Sequence, residues 1–150
     1  RQLQPWHANT GKRQVRSPKV YLGDTGILHA LLGLPDRTAV DSHPALGFSW
    51  EGFALAQVTA RLGLPREACY FWGTHGGAEL DLYVESGGAR LGFEFKRTEA
   101  PATTKSMHVA LQSLALDRLF VVHAGERSFP LAERIDAVAV ASLWRGWAPG

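Results

Sequence analysis

The sequence predicts an α/β fold, a central mixed β-sheet with helices packed on it, from three observations. Ala78-Glu-Leu-Asp-Leu-Tyr-Val84 and Leu91-Gly-Phe-Glu-Phe-Lys96 alternate with the period of a strand, and Ser86-Gly-Gly88 between them reads as a hairpin turn. Residues 48 to 62 and 104 to 116 carry apolar side chains at helical spacing. The continuous apolar run Leu119-Phe-Val-Val122 suits a strand covered on both faces, and the helix before it permits a parallel crossover. The resulting core order is helix, three strands, helix, strand.

Composition agrees with a globular domain. A chain of 150 residues suits one domain with a substantial core, and 45% hydrophobic with 20% charged residues excludes a disordered or fibrous class. No stretch resembles a transmembrane span or a signal peptide, so the expected setting is cytoplasmic, with no membrane partner. The single Cys69 allows no internal disulfide and lacks companions for zinc; it reads as a small apolar strand residue in a reducing compartment. Net charge is only +2, but from Arg1 to Gly23 there is no acid, while Arg1, Lys12, Arg13, Arg16 and Lys19 are basic. Such a segment suits a phosphate backbone or a solvated connector. The start at Arg1, without Met, reads as a piece of a longer polypeptide.

Taken in order, residues 1 to 17 lack sustained periodicity and predict an irregular segment with at most a short strand. A strand follows at 19 to 22. Gly23-Asp-Thr-Gly26 supplies a turn and an N-cap, Asp24, for a helix over 26 to 32 that Gly33 and Pro35 end. Residues 36 to 46 read as a loop or a broken helical turn. In the helix over 48 to 62, Glu51, Leu55, Val58 and Leu62 fall on one stripe, placing a carboxylate at the leading end of a core-facing surface. Glu51 either complements the helix N-terminus or approaches acidic groups on the sheet. A strand at 68 to 72 leads through a turn holding an exposed His75 into the hairpin. In the helix over 104 to 116, Met107, Ala110, Leu111 and Leu114 point inward and Lys105 outward. Residues 128 to 131 read as an edge strand or turn, and 135 to 140 as the last strand.

Simple alternation puts Leu80, Leu82 and Val84 with Leu91, Phe93 and Phe95 on one hairpin face, and Asp81 with Glu94 and Lys96 on the other. Two carboxylates and an ammonium so gathered suit a hard divalent cation and a developing phosphate charge. The alternative is a cross-strand ion pair on a solvated face.

Glu51 in the first core helix, Asp81 in the second strand and Glu94-Phe-Lys96 in the third resemble the PD-(D/E)xK nuclease superfamily, whose core has this helix and strand order. More narrowly, Ser17-Pro-Lys-Val-Tyr-Leu-Gly-Asp-Thr-Gly-Ile27, Trp50-Glu-Gly-Phe53, Tyr70-Phe-Trp72, Gly76-Gly-Ala-Glu-Leu-Asp81 and Gly92-Phe-Glu-Phe-Lys-Arg97 resemble the uncharacterised C-terminal module of bacterial AAA-type ATPases, over nearly the whole chain. The resemblance implies an N-terminal strand-helix extension over residues 1 to 46, a restriction-endonuclease-like core of order α-β-β-β-α-β over 47 to 150, and an upstream AAA ATPase domain on the same polypeptide. It implies that Asp81 and Glu94 ligate Mg²⁺ or Mn²⁺ with the Phe95 carbonyl, and that Glu51 acts directly or through water. Lys96 would orient the attacking water or neutralise the transition state. The implied reaction is hydrolysis of a DNA phosphodiester, with Arg97, Lys105, Lys12, Arg13, Arg16 and Lys19 on the DNA backbone. Many relatives carry an Arg where this chain has Gly73. Two further readings are an inactive nuclease-fold module that binds nucleic acid, and a docking or homo-oligomerisation platform with Trp50, Trp72, Trp144 and Trp147 as packing or interface residues.

Overall fold

The computed structural model describes residues 1–7 and 14–149, so Lys12 and Arg13 lie outside the described residues. In chain order the elements are β1 (Gln2–Pro5), β2 (Lys19–Val20), α1 (Thr25–Leu31), α2 (Arg37–Ser42), α3 (Leu46–Leu62), β3 (Cys69–Gly73), β4 (Glu79–Ser86), β5 (Ala89–Lys96), α4 (Lys105–Ser113), β6 (Arg118–His123), β7 (Phe129–Ala132) and β8 (Ile135–Ala139). The strands form one mixed sheet in the order β2-β1-β3-β4-β5-β6-β8-β7. The β5–α4–β6 and β6–β8 pairings are parallel, whereas β3–β4–β5 is an antiparallel meander.

The two long amphipathic helices cover opposite faces. Ala54, Leu55 and Val58 of α3 pack with Leu82, Val84, Phe93, Phe95 and Phe120. Met107, Ala110 and Leu111 of α4 pack with Trp72, Leu80, Tyr83 and Val121. Cys69 is a buried strand residue and Met107 a core residue, as their sequence settings predict. Asp24 caps α1 by accepting from the Ile27 amide at 3.0 Å. The short helix α2, in a stretch expected as a loop or a broken helical turn, is capped the same way by Asp36, which accepts from the Ala39 amide at 2.9 Å. Its six residues bury nothing, so no apolar period marks it.

The expected face assignment of the hairpin is corrected by a β-bulge. Tyr70 pairs with Tyr83 and Trp72 with Leu80, so between these pairs the single residue Phe71 of β3 opposes two of β4, Asp81 and Leu82. The extra residue falls at Asp81-Leu82 and breaks the alternation: Leu80 joins Tyr83 on the α4 side, while Leu82 and Val84 stay on the α3 side. The β4–β5 ladder also stops at Leu82↔Phe93, leaving Asp81 and Glu94 beyond its end.

The N-terminal segment is part of the sheet. β1 lies parallel to β3 and antiparallel to β2, and Leu3 and Tyr21 are buried in the core under α3. The Arg1 guanidinium donates to Thr59 Oγ1 at 2.7 Å. Among the aromatic residues, Trp72 is fully buried and Trp147 packs edge-on against Phe93 and Phe120.

Gly92 permits the close approach of β5 to Leu80 of β4 and to Leu116, in the turn after α4. A methyl there would stand 2.6 Å from Leu116 Cδ1 and 3.1 Å from Leu80 Cδ2, and both leucines are fully buried. Gly92→Ala is expected to lower stability by about 1–3 kcal/mol through overpacking, read as a reduced urea midpoint at unchanged slope.

Candidate functional site

The end of the β4–β5 ladder, the N-terminus of α3 and the β2 segment converge on one acidic locus. The bulge turns Asp81 into the fork where the ladder stops, and its Oδ2 accepts the buried Phe95 amide at 2.9 Å in place of a strand partner. Asp81 is only 4% exposed and Glu94 only 3%. Lys96, two residues along β5, places its ammonium 2.7 Å from Glu94 Oε1. The other oxygen, Glu94 Oε2, is buried and has no hydrogen-bond partner. Such orphaned atoms are rare in folded proteins.

The electrostatics follow from this crowding. Burial, and then the Asp81 charge, push Glu94 up to about 7 in spite of Lys96. Burial and Asp81 also raise Glu51, while Lys19 and a hydrogen bond from Tyr21 work in the opposite direction. Burial would lower Lys96, but its bond to Glu94 and the charges of Glu94, Asp81 and Glu51 raise it overall, so it stays protonated.

Glu51, Asp81, Glu94 and Lys96 share one electrostatic neighbourhood, assembled at a fork and not along one continuous pleat face. Lys19 turns inward, with Nζ 3.4 Å from Asp81 Oδ1. Arg97 is exposed and bonded to Asp41 of α2 at 2.7 Å. Arg16 and Lys105 are exposed, as is His75. Asp81, Glu94 and Glu51 offer hard oxygen donors, yet among the described residues no three His, Cys, Asp or Glu side chains form a ready-made metal cluster.

Tyr21 escaped the sequence reading. It stacks on Phe48 at 5.0 Å and donates to Glu51 Oε2 at 3.2 Å. Burial, with the charges of Glu51 and Asp81, raises its phenol far above the ordinary value, so it stays a donor. The available signal was the spacing of Lys19 and Tyr21, which an extended chain presents on one side. Gly73 is covered by the N-terminal segment: a Cβ there would meet Val15 Cγ2 at 3.4 Å.

Comparison with known proteins gives the family. Residues 46–143 match the family described as Domain of unknown function (DUF4143), and the chain belongs to it. Residues 1–38 match a second family, Domain of unknown function (DUF8612). Uncharacterized proteins of Mycobacterium tuberculosis and Mycobacterium bovis are each 54% identical over 138 residues, covering 92% of this chain but 31% of their own length. The chain thus spans about a third of the curated relatives it matches. No solved structure matches significantly. Among the described residues, no helix is long and apolar enough to cross a membrane.

Proposed function

We propose that this member of the DUF4143 family is a nuclease-like domain with a restriction-endonuclease-like core, working in the cytoplasm as the C-terminal part of a longer AAA-type ATP-binding protein. Its reaction is hydrolysis of DNA phosphodiesters dependent on Mg²⁺ or Mn²⁺. The observation that carries this reading is Glu94: a buried carboxyl within the electrostatic reach of Asp81, with one oxygen on Lys96 and the other unbonded. Burying two carboxylates that repel each other is costly, and an orphaned oxygen offsets none of that cost.

The donor set fits a hard cation. Glu94 Oε2 and Asp81 Oδ1 would hold it, with Glu51 behind them, and oxygen ligands alone favour Mg²⁺ or Mn²⁺ over softer metals. When bound, the cation supplies Lewis-acid stabilisation of phosphoryl charge and a more acidic water. Glu94 must shed its proton to take part, which its value near 7 allows at neutral pH. Lys96, protonated and half-buried, offers a fixed positive charge and a donor where phosphoryl charge develops. Tyr21 holds Glu51 by one oxygen and leaves the other for the site. Exposed Arg16, Lys105 and Arg97 suit the DNA backbone.

A second reading, an inactive module for nucleic-acid binding or docking, is favoured by Val15 over Gly73, because the position of a relative's Arg is covered there. Incubation with linear, branched and single-stranded DNA plus Mg²⁺ or Mn²⁺ separates the two. Cleavage is expected for the wild type and is expected to fall at least about 100-fold in Lys96→Ala, in line with loss of one preorganised charge. Cleavage unchanged in that variant, or absent from the wild type with every metal and substrate, rejects the enzyme.

A further inference from the structure

Lys19 reaches the acidic locus from outside the strands that build it. It lies on β2, in the segment that matches a different family from the one containing the carboxylates. Its Nζ stands 3.4 Å from Asp81 Oδ1 and 5.4 Å from the centre of the Phe71 ring, and its side chain is 28% exposed. Its charge also favours ionised Glu51, against the burial and the Asp81 repulsion that raise that group. One ammonium therefore compensates two carboxylates that are otherwise poorly matched. A divalent cation would gain most at the same place, on the hard oxygens that Lys19 already neutralises.

We propose that Lys19 is a tethered competitor for the divalent cation: in the metal-free protein its ammonium occupies the Asp81 carboxylate, and a cation binds there only as the lysine withdraws. The inference rests on the metal-site reading above. Two cations on one carboxylate oxygen repel each other, and charge balance in a buried site favours exchange over addition. Lys19 has a route of withdrawal, because its flexible stem sits at the partly exposed rim. Lys96 differs, being held at 2.7 Å on Glu94 by a shorter and stronger bond. The β2 segment thereby sets the cation affinity of a site whose carboxylates belong to α3, β4 and β5.

The test is Mn²⁺ titration without DNA, following the paramagnetic resonance of free ion, on the wild type, Lys19→Met, Lys19→Arg and Glu94→Gln. Lys19→Met is expected to bind Mn²⁺ at least about tenfold more tightly than wild type, and to gain more melting temperature from Mn²⁺ relative to chelator. Lys19→Arg, which keeps the competing charge, is expected to bind like the wild type. Should Lys19→Met fail to fold by circular dichroism, Lys19→Gln takes its place. Equal or weaker binding in the neutral variant, with binding lost in Glu94→Gln, overturns the role of Lys19 and leaves the metal site standing. No Mn²⁺ binding in either the wild type or the neutral variant overturns the metal site, and the inference with it.

Discussion

Replacing Asp81 by alanine is expected to cost about 2–4 kcal/mol of stability in the presence of chelator, because it strands two groups at once. The Phe95 amide loses its acceptor inside the fork, where the strand ladder has ended and no neighbouring backbone oxygen replaces it. Lys19 loses its counter-charge. An opposing effect exists, since removing Asp81 relieves the repulsion that raises Glu94 and Glu51. That relief operates only while those carboxyls are ionised. The deficit of Asp81→Ala should therefore be largest near pH 5.5 and shrink as pH rises past 7, where Glu94 is charged in the wild type. Asp81→Asn, which keeps an oxygen for the Phe95 amide, should recover part of the loss. Urea unfolding at the two pH values reads all of this. An alanine variant as stable as wild type at pH 5.5 would mean that the Asp81–Phe95 bond contributes nothing to the fork.

The same fork marks where local sequence pattern stops being informative. Period-two alternation located the hairpin and its three polar residues, because both strands are long and carry apolar residues at every second position. It could not reveal the bulge, which is a property of register between β3 and β4 and leaves no trace in the composition of Asp81-Leu82. The consequence was large: Leu80 packs under α4 with Trp72, and Asp81 meets β5 at the end of its ladder. Edges were harder than the centre. β1 has four residues, of which only Leu3 is fully buried, too few for any period to register. β7 contains Pro130, which its position at the sheet edge tolerates.

Long-range partners were the least legible. Lys19 and Asp81 are 62 residues apart, and Tyr21 and Glu51 are 30 apart. Nothing near Lys19 distinguished an inward ammonium from the other basic residues of an acid-free stretch. Charge composition suggested a segment for a phosphate backbone or a solvated connector, whereas the folded chain uses one of its lysines to neutralise a buried carboxylate. Periodicity offered Glu51 either the N-terminus of α3 or the acidic groups of the sheet, and neither alternative contains the phenol of Tyr21 that donates to it in the fold.

Glu94→Gln is expected to raise stability above pH 7 while removing cation binding. Glu94 titrates near 7 in the folded protein against an ordinary 4.5, so between those values the folded chain holds a proton that the unfolded chain has released. Stability is therefore full below about pH 4.5, falls as pH rises through 7, and levels off above it. At about 1.4 kcal/mol per pKa unit, the wild type gives up about 3 kcal/mol across that window. Glutamine keeps an oxygen for Lys96 and carries no charge to desolvate. The variant should match the wild type near pH 5 and exceed it by about 2–3 kcal/mol at pH 8.5 in chelator. A gain of that kind is what a carboxylate retained for chemistry, at the expense of the fold, predicts. Mn²⁺ should reverse the ranking, since only the wild type can recover stability through the ion. A glutamine variant that is less stable at pH 8.5 than at pH 5, in step with the wild type, would show instead that the Lys96 pair outweighs the burial of Glu94.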